Sequence, residues 1–427
     1  MKNRRLIALV VAAVLFGAAT AAYADHAYTA RARAVGLTLR MQDQGLTAAL
    51  TDAKVQSGRI PGGEGCADNT NACATAAGLA EPLGKSAQAS APGNQGSKTA
   101  PATNLTPTGT TLLSKAITAR IGQSTAVAMP PADTKAKGTA GQSIVSLNLG
   151  QQIPAAETVQ QRIRTEVPAI VDGLAAIAED DPSGRTRRIA DGLELIAQNP
   201  AAQPLVEITT GPALSESSDL DDKTTATAIA NGAEVVIGPV GKAALPGATP
   251  EGFIVLRISK SMATATTDQK TGKADFTPPE VTVVSLADVG LDKVNIAPGQ
   301  SNCFAVNTPF ETCVTVSSGA KRVEGAAAAA TVGGVEVSAL RTQGKSAVNL
   351  RLGVVDAGVN AAGRKVNASS PESAPDSTPE PSAPAPEPAR GPTRVLPKTG
   401  SANLTVPGLV LLGASGITLA LLRRRHI

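Results

Sequence analysis

The sequence predicts a mainly β protein: an antiparallel sandwich or stacked-sheet ectodomain with an inserted helical hairpin, followed by a disordered Pro-rich linker and one C-terminal transmembrane helix. Three observations predict it. Apolar residues recur at every second position in short runs separated by Gly, Pro, Asn and Asp, the pattern of half-buried strands. Tryptophan is absent and the aromatic share is 2%, so the core is built from Ala, Val, Ile, Leu and Thr, small side chains that suit closely stacked sheets. One segment, residues 155–198, breaks the period of two and adopts that of a helix.

In chain order, Lys2, Arg4 and Arg5 form a basic head, Leu6 to Ala21 an apolar stretch, and Ala22-Tyr23-Ala24 a small-x-small pattern before Asp25. This is the layout of a secretory signal peptide over 1–24. The body then runs from Asp25 to Lys365, roughly 340 residues and room for two domains. Its first strand is expected over Thr29 to Arg40, where Ala30, Ala32 and Ala34 alternate with Arg31 and Arg33. Residues 85–111 turn to Ser, Ala, Pro, Gly, Thr and Gln and read as a low-complexity loop. A strand is expected again at Ile144 to Leu149.

From Ala155 to Ala178 the apolar positions Val159, Ile163, Val167, Ile170, Leu174 and Ile177 recur at three or four residues, and Ile189, Leu193 and Ile196 do so from Arg185 to Gln198. These spacings predict two helices with one apolar stripe each, packed across a sheet face. Pro168 is expected to kink or split the first, and Asp180 to Gly184 to form the turn between them. After Pro200 strands are expected at Leu205 to Thr209, Ala233 to Gly238, Phe253 to Ile258, Val281 to Leu286, Val314 to Ser317, Val332 to Leu340 and Ala347 to Val355. A Thr/Ala run, a turn and a Val/Ile run recur, as in Thr224 to Ala230 before Ala233 to Ile237. This reads as repeated hairpins.

Residues 366–395 are dominated by Pro, Ser, Ala and Glu. Proline at nearly every second or third position blocks helices and ladders, so this is an extended spacer reaching on the order of 90 Å. Leu396-Pro397-Lys398-Thr399-Gly400 follows, then an uncharged apolar run from Leu404 to Leu422 and a basic tail at 423–427 that begins with Arg423, Arg424 and Arg425. As a helix the run measures roughly 28 Å, close to the thickness of a bilayer's hydrocarbon core, and the arginines favour the cytoplasmic side.

Taken together, these terminal features resemble those of the sortase-anchored surface proteins of Gram-positive bacteria, whose sorting signal is an LPxTG pentapeptide, an apolar span and a basic tail. The resemblance covers the two termini only. It implies cleavage between Thr399 and Gly400 by a sortase, transfer of the Thr399 carbonyl to an amine of the cell-wall precursor, and a covalent amide to peptidoglycan. Leu396 and Thr399 are then the side chains recognised, Pro397 bends the chain, and Lys398 fills the variable position. The membrane is a transient partner of the C-terminal helix. A lysine-bearing pilin motif with aromatic neighbours is not found.

Those cuts alter the charge. Losing Lys2, Arg4, Arg5 and Arg423 to Arg425 takes Lys+Arg from 39 to 33 against 35 Asp+Glu, and the formal charge from +4 to about −2. The basic pI therefore gives no support to a nucleic-acid partner. The four cysteines fall into two near pairs, and in an exported chain local disulfides, Cys66 with Cys73 and Cys303 with Cys313, are the economical connectivity. Zinc competes for them, but neither spacing is CxxC and the mature chain's one histidine is His26. No metal or cofactor is expected.

For catalysis, His26 lies beside the new amino terminus, where a general base would be poorly held. The run Ser215 to Asp222 clusters carboxylates but lacks the glycine-centred spacing of a calcium loop, and reads as a solvated turn. Gly62-Gly63-Glu64-Gly65 and Gly333-Gly334 read as turns, with no following helix and lysine to hold phosphate. Two function classes remain: a non-catalytic, wall-anchored surface protein for adhesion or surface structure, with an unidentified extracellular ligand, or a tethered hydrolase with paired carboxylates. For the latter, the shortage of Trp and Tyr removes the usual sugar-stacking platforms.

Overall fold

The computed structural model describes residues 28–41, 44–60, 70–80, 86–91, 95–105, 116–129, 134–148, 154–220, 223–240, 251–268, 270–283, 294–342 and 344–361. The signal segment, the linker at 366–395, Leu396 to Gly400, the apolar run and the basic tail lie outside the described residues.

The chain begins with β1 (Thr29–Met41), β2 (Gln44–Ile60), β3 (Thr70–Leu79) and β4 (Ser86–Ala91), followed by β5 (Gly96–Ala100), β6 (Thr103–Leu105), β7 (Ile117–Ile121), β8 (Ser124–Met129), β9 (Thr134–Ala140) and β10 (Ser143–Leu147). Helices α1 (Pro154–Ala178) and α2 (Arg185–Gln198) come next. Then follow β11 (Val206–Thr210), β12 (Ala213–Leu220), β13 (Lys223–Ala230), β14 (Ala233–Val240), β15 (Glu251–Ile258), β16 (Ser261–Thr267), β17 (Gly272–Thr277), β18 (Val281–Val283) and β19 (Val294–Ile296). The described part ends with β20 (Ser301–Phe304), β21 (Thr312–Val316), β22 (Ala320–Glu324), β23 (Ala327–Val332), β24 (Val335–Thr342) and β25 (Lys345–Asn360).

The protein is mainly β, as the alternation predicts, and its strands form two antiparallel layers. The first is a ten-stranded sheet ordered β20-β21-β24-β25-β1-β2-β3-β4, with β23 also on β25 and β22 on β23. The second is divided into a seven-stranded sheet, β17-β16-β13-β12-β9-β8-β5, and an eight-stranded one, β19-β18-β15-β14-β11-β10-β7-β6. These two are halves of a single creased sheet. Ala213 pairs with Ala230 and Thr210 with Ala233, so the register of β12 on β13 runs straight into that of β11 on β14. Ser124 on Ala140 and Ile121 on Ser143 continue one another in the same way.

The crease is visible in the burial pattern. Along a flat strand the inward residues step by two. Here they step by three at one line, from Ile121 to Ser124, Ala140 to Ser143 and Ile258 to Ser261, while in the first layer Ala34, Val35, Gly36 and Leu37 are buried in succession. The first layer bends there through left-handed backbone at Ala49 (φ 52°) and Gly353 (φ 70°). Gly36 makes room for the bend, since a Cβ on it would lie 2.7 Å from that of Ala49.

On one side of the crease the core is almost entirely alanine, including Ala32, Ala53, Ala74, Ala136, Ala226 and Ala263. On the other side Leu37, Leu39, Leu147, Ile208 and Ile254 join Val159, Ile163, Val167 and Leu174 of α1 and Ile189, Leu193 and Ile196 of α2. The helical hairpin thus buries its expected stripes. It sits with α2 on β14 and β15 and α1 against β24.

Four expectations are corrected. Residues 85–111 are not a loop where described: β4, β5 and β6 lie within them, because Ala87, Ala89 and Ala91 are apolar enough for a core made of alanine. The Thr/Ala then Val/Ile theme is not a hairpin repeat. Asn231-Gly232 is the crease within one continuing strand, and Gly333-Gly334 likewise divides β23 from β24, with Val332 opposite Val355 and Val335 opposite Leu352 on the same β25. Pro168 does not split α1, which continues through it; Pro168 and Arg164 share the exposed face, where water can satisfy the freed carbonyl. The acidic run is not a turn up to Leu220, since Ser215 to Leu220 belong to β12.

Candidate functional site

A concave feature lies at the leucine-rich end, between α1 and the β20–β21 connection. Cys303 and Cys313 are directly opposed in the ladder and joined by a disulfide, as expected from their spacing. The bond closes a loop whose backbone is left-handed at Ala305 (φ 49°) and Asn307 (φ 65°). Asparagine tolerates that region better than most residues. Thr308 Oγ1 donates to the Ala305 carbonyl at 2.7 Å. Phe310 is fully buried, its ring centroid 5.2 Å from that of Phe253, so the loop is stapled at its base and plugged into the core.

Two ion pairs tie this loop to its surroundings. Arg162 donates from Nε and Nη2 to Glu166, one helical turn on, at 2.7 and 2.8 Å. Its Nη2 also donates to the Asn307 carbonyl at 3.0 Å. Glu311 accepts from Arg341 Nη1 at 3.1 Å and from the Asn307 N–H at 3.2 Å. Between these groups is a cleft of about 630 Å³ lined by Thr158, Arg162, Val306, Asn307, Glu311 and Thr342. Thr342 Oγ1 is buried there without a hydrogen-bond partner.

The opposite, alanine-rich end carries a second polar cluster. The Tyr28 phenol is pushed up to about 12 by burial, reinforced by a hydrogen bond to Asp219 and the charge of that carboxylate. Asp219 also accepts from Thr224 Oγ1 at 2.7 Å. Glu216, three residues earlier in the acidic run, points to the other face and pairs with Lys135 at 2.7 Å and Lys137 at 3.6 Å. Strand alternation therefore separates carboxylates that a calcium loop would need to converge. Among the described residues no three His, Cys, Asp or Glu side chains are grouped so as to hold a metal ion.

Of the residues singled out in the sequence, Leu396, Pro397, Lys398, Thr399, Gly400 and Cys66 lie outside the described residues. Cys73 is in β3 and is disulfide-bonded. The Cys303–Cys313 disulfide is consistent with an extracellular location. No described helix is long and apolar enough to cross a membrane. The cleft residues Arg162, Asn307 and Glu311, and Arg341 that pairs with Glu311, escaped sequence reasoning because they come from three separated segments. The one local signal was the cysteine spacing around Asn307.

No family model matches the chain, and no curated protein does. Among solved structures, the toluene transporter TbuX of Ralstonia pickettii is 9% identical, with 78% of this chain and 88% of that chain covered at a TM-score of 0.14. OccK5 (OpdH) of Pseudomonas aeruginosa is 6% identical, with 79% and 97% covered at 0.11. Likenesses this slight carry no argument.

Proposed function

We propose that the chain is a cell-wall-anchored surface protein whose non-catalytic β ectodomain serves adhesion or surface structure, linked to peptidoglycan through Thr399 by a sortase. The observation that carries this is the order Leu396 to Gly400, apolar run, arginines. The disulfide supports export. The geometry supports tethering at one end, since the last strand, β25, finishes at Asn360 opposite Thr29 of β1, and the linker at 366–395 follows from that alanine-rich end. The protein is the substrate in the anchoring chemistry: the Thr399–Gly400 amide breaks as a thioester forms on the sortase, and the cell-wall amine then displaces the enzyme.

Changing Thr399 to Ala is expected to move the protein from the wall fraction to the membrane or medium, read by fractionation and immunoblot. Undiminished wall linkage in that variant would refute the assignment.

A further inference from the structure

We propose that the Cys303–Cys313 disulfide is a site of thiol–disulfide exchange, at which a small external thiol becomes joined to Cys303 while Cys313 is released as a thiolate beside Arg341. The two sulfurs are unequally placed. Cys303, on the edge strand β20, is exposed, whereas Cys313 of β21 is half-buried. An attacking thiolate therefore reaches the first, and the second becomes the leaving group. The nearby cation lies on the leaving side: Arg341 Nη1 donates to Cys313 Sγ at 2.6 Å and is 4.0 Å from Cys303 Sγ. A guanidinium keeps its charge at any working pH and stabilises a thiolate next to it. Arg341 is also fixed in place, its backbone N–H donating to the Glu311 carbonyl at 3.1 Å and its Nη1 to the Glu311 carboxylate at 3.1 Å. Its side chain is partly buried, where charge acts more strongly than in bulk water. Glu311 opposes exchange, because its carboxylate shares the guanidinium and repels a developing thiolate.

The thiolate of the small thiol attacks Cys303 Sγ, the bond between the two cysteine sulfurs breaks, and its electron pair leaves with Cys313. The product is a mixed disulfide on Cys303 and a thiolate on Cys313. A second small thiolate attacking the outer sulfur of the mixed disulfide completes a two-electron reduction: the small thiol leaves as its own disulfide and Cys303 is freed as a thiolate. In the reverse direction the Cys313 thiolate attacks the mixed disulfide, expels the small thiolate and restores the original bond. The loop does not depend on that bond alone. Phe310 is fully buried against Phe253, and the Asn307 carbonyl accepts from Arg162 Nη2 at 3.0 Å. Exchange therefore leaves the strands folded and keeps Cys313 directly opposite Cys303 in the ladder, so the modification is reversible. Cys73, the described cysteine of the other bond, is only 4% exposed and its sulfur is closed to the same attack.

The test treats the oxidised, full-length secreted protein with reduced glutathione, caps free thiols with iodoacetamide and maps the peptides by mass spectrometry. The first product expected carries glutathione on Cys303 and the alkyl cap on Cys313. Arg341→Gln is expected to slow its formation about three- to tenfold, and Glu311→Gln to speed it about threefold. Arg341→Lys keeps the charge and should react at a rate nearer the parent's than the glutamine variant's. Circular dichroism and melting of the oxidised variants check that they fold; should Arg341→Gln fail to fold, the faster exchange of Glu311→Gln decides. Glutathione found first on Cys313, no adduct at thiol concentrations that open a linear peptide with the same two cysteines, or a rate indifferent to the Arg341 and Glu311 substitutions would overturn the proposal. None of these outcomes bears on anchoring, which fractionation of the Thr399 variant reads separately.

Discussion

The two halves of the sandwich solve the same packing problem with opposite materials. On the alanine side the layers approach until no room remains: a Cβ on Gly138 of β9 would lie 2.8 Å from the Thr75 carbonyl of β3, in the other layer. Ser217 Oγ of β12 donates directly across to the Ala53 carbonyl of β2 at 2.9 Å. On the leucine side the layers spread, and α1 and α2 bring Ile163, Leu193 and Ile196 to the core. Small side chains bury little apolar area each, so that half depends on close backbone approach, whereas the other depends on volume. The crease is where one regime gives way to the other, and the concave site occurs where the layers are wide apart.

This contrast predicts opposite sensitivities. The largest effect is expected from truncation on the wide side. Phe310→Ala removes a fully buried ring packed on Phe253 and should cost about 3–5 kcal/mol in denaturant unfolding. A loss below about 1 kcal/mol would mean that the disulfide alone positions the loop. On the narrow side enlargement is the damaging change. Gly138→Ala adds one methyl against a backbone carbonyl of the opposite layer, where no flexible side chain can yield, and should cost about 1–3 kcal/mol by the same measurement. Unchanged stability in that variant would show that the layers are not in contact there.

How much of this was legible depends on whether the signal was local. The helical hairpin was, to within a residue of its boundaries, because three- and four-residue spacing is read from one segment. The alternation in Lys223–Ala230 was equally plain. The crease was not. Asn231-Gly232 carries the chemistry of a reversing turn, and what makes it a bend in a continuing strand is the partner of the next residue, Ala233, with Thr210. The strands at 86–105 were missed because alanine and serine alternation counts as apolar patterning only where the facing layer is alanine too. The cleft was hidden for the same reason as the crease, since Arg162 and Asn307 meet across 145 positions.

The smallest effect separates the two ends by pH. The Tyr28 phenol, at the alanine end, has its pKa raised from 10.0 to about 12 by burial, by its hydrogen bond to Asp219 and by that carboxylate's charge. The folded state therefore holds the phenolic proton more tightly than the unfolded chain. This contribution is fully present below pH ~10 and is lost as pH rises toward about 12. The side chain is partly exposed, so solvent screening keeps the effect under about 1 kcal/mol. Tyr28→Phe should thus flatten the fall in stability between those pH values while leaving melting at neutral pH little changed. An equally steep alkaline fall in the variant would place the alkaline sensitivity elsewhere than at the narrow end's cross-layer hydrogen bond.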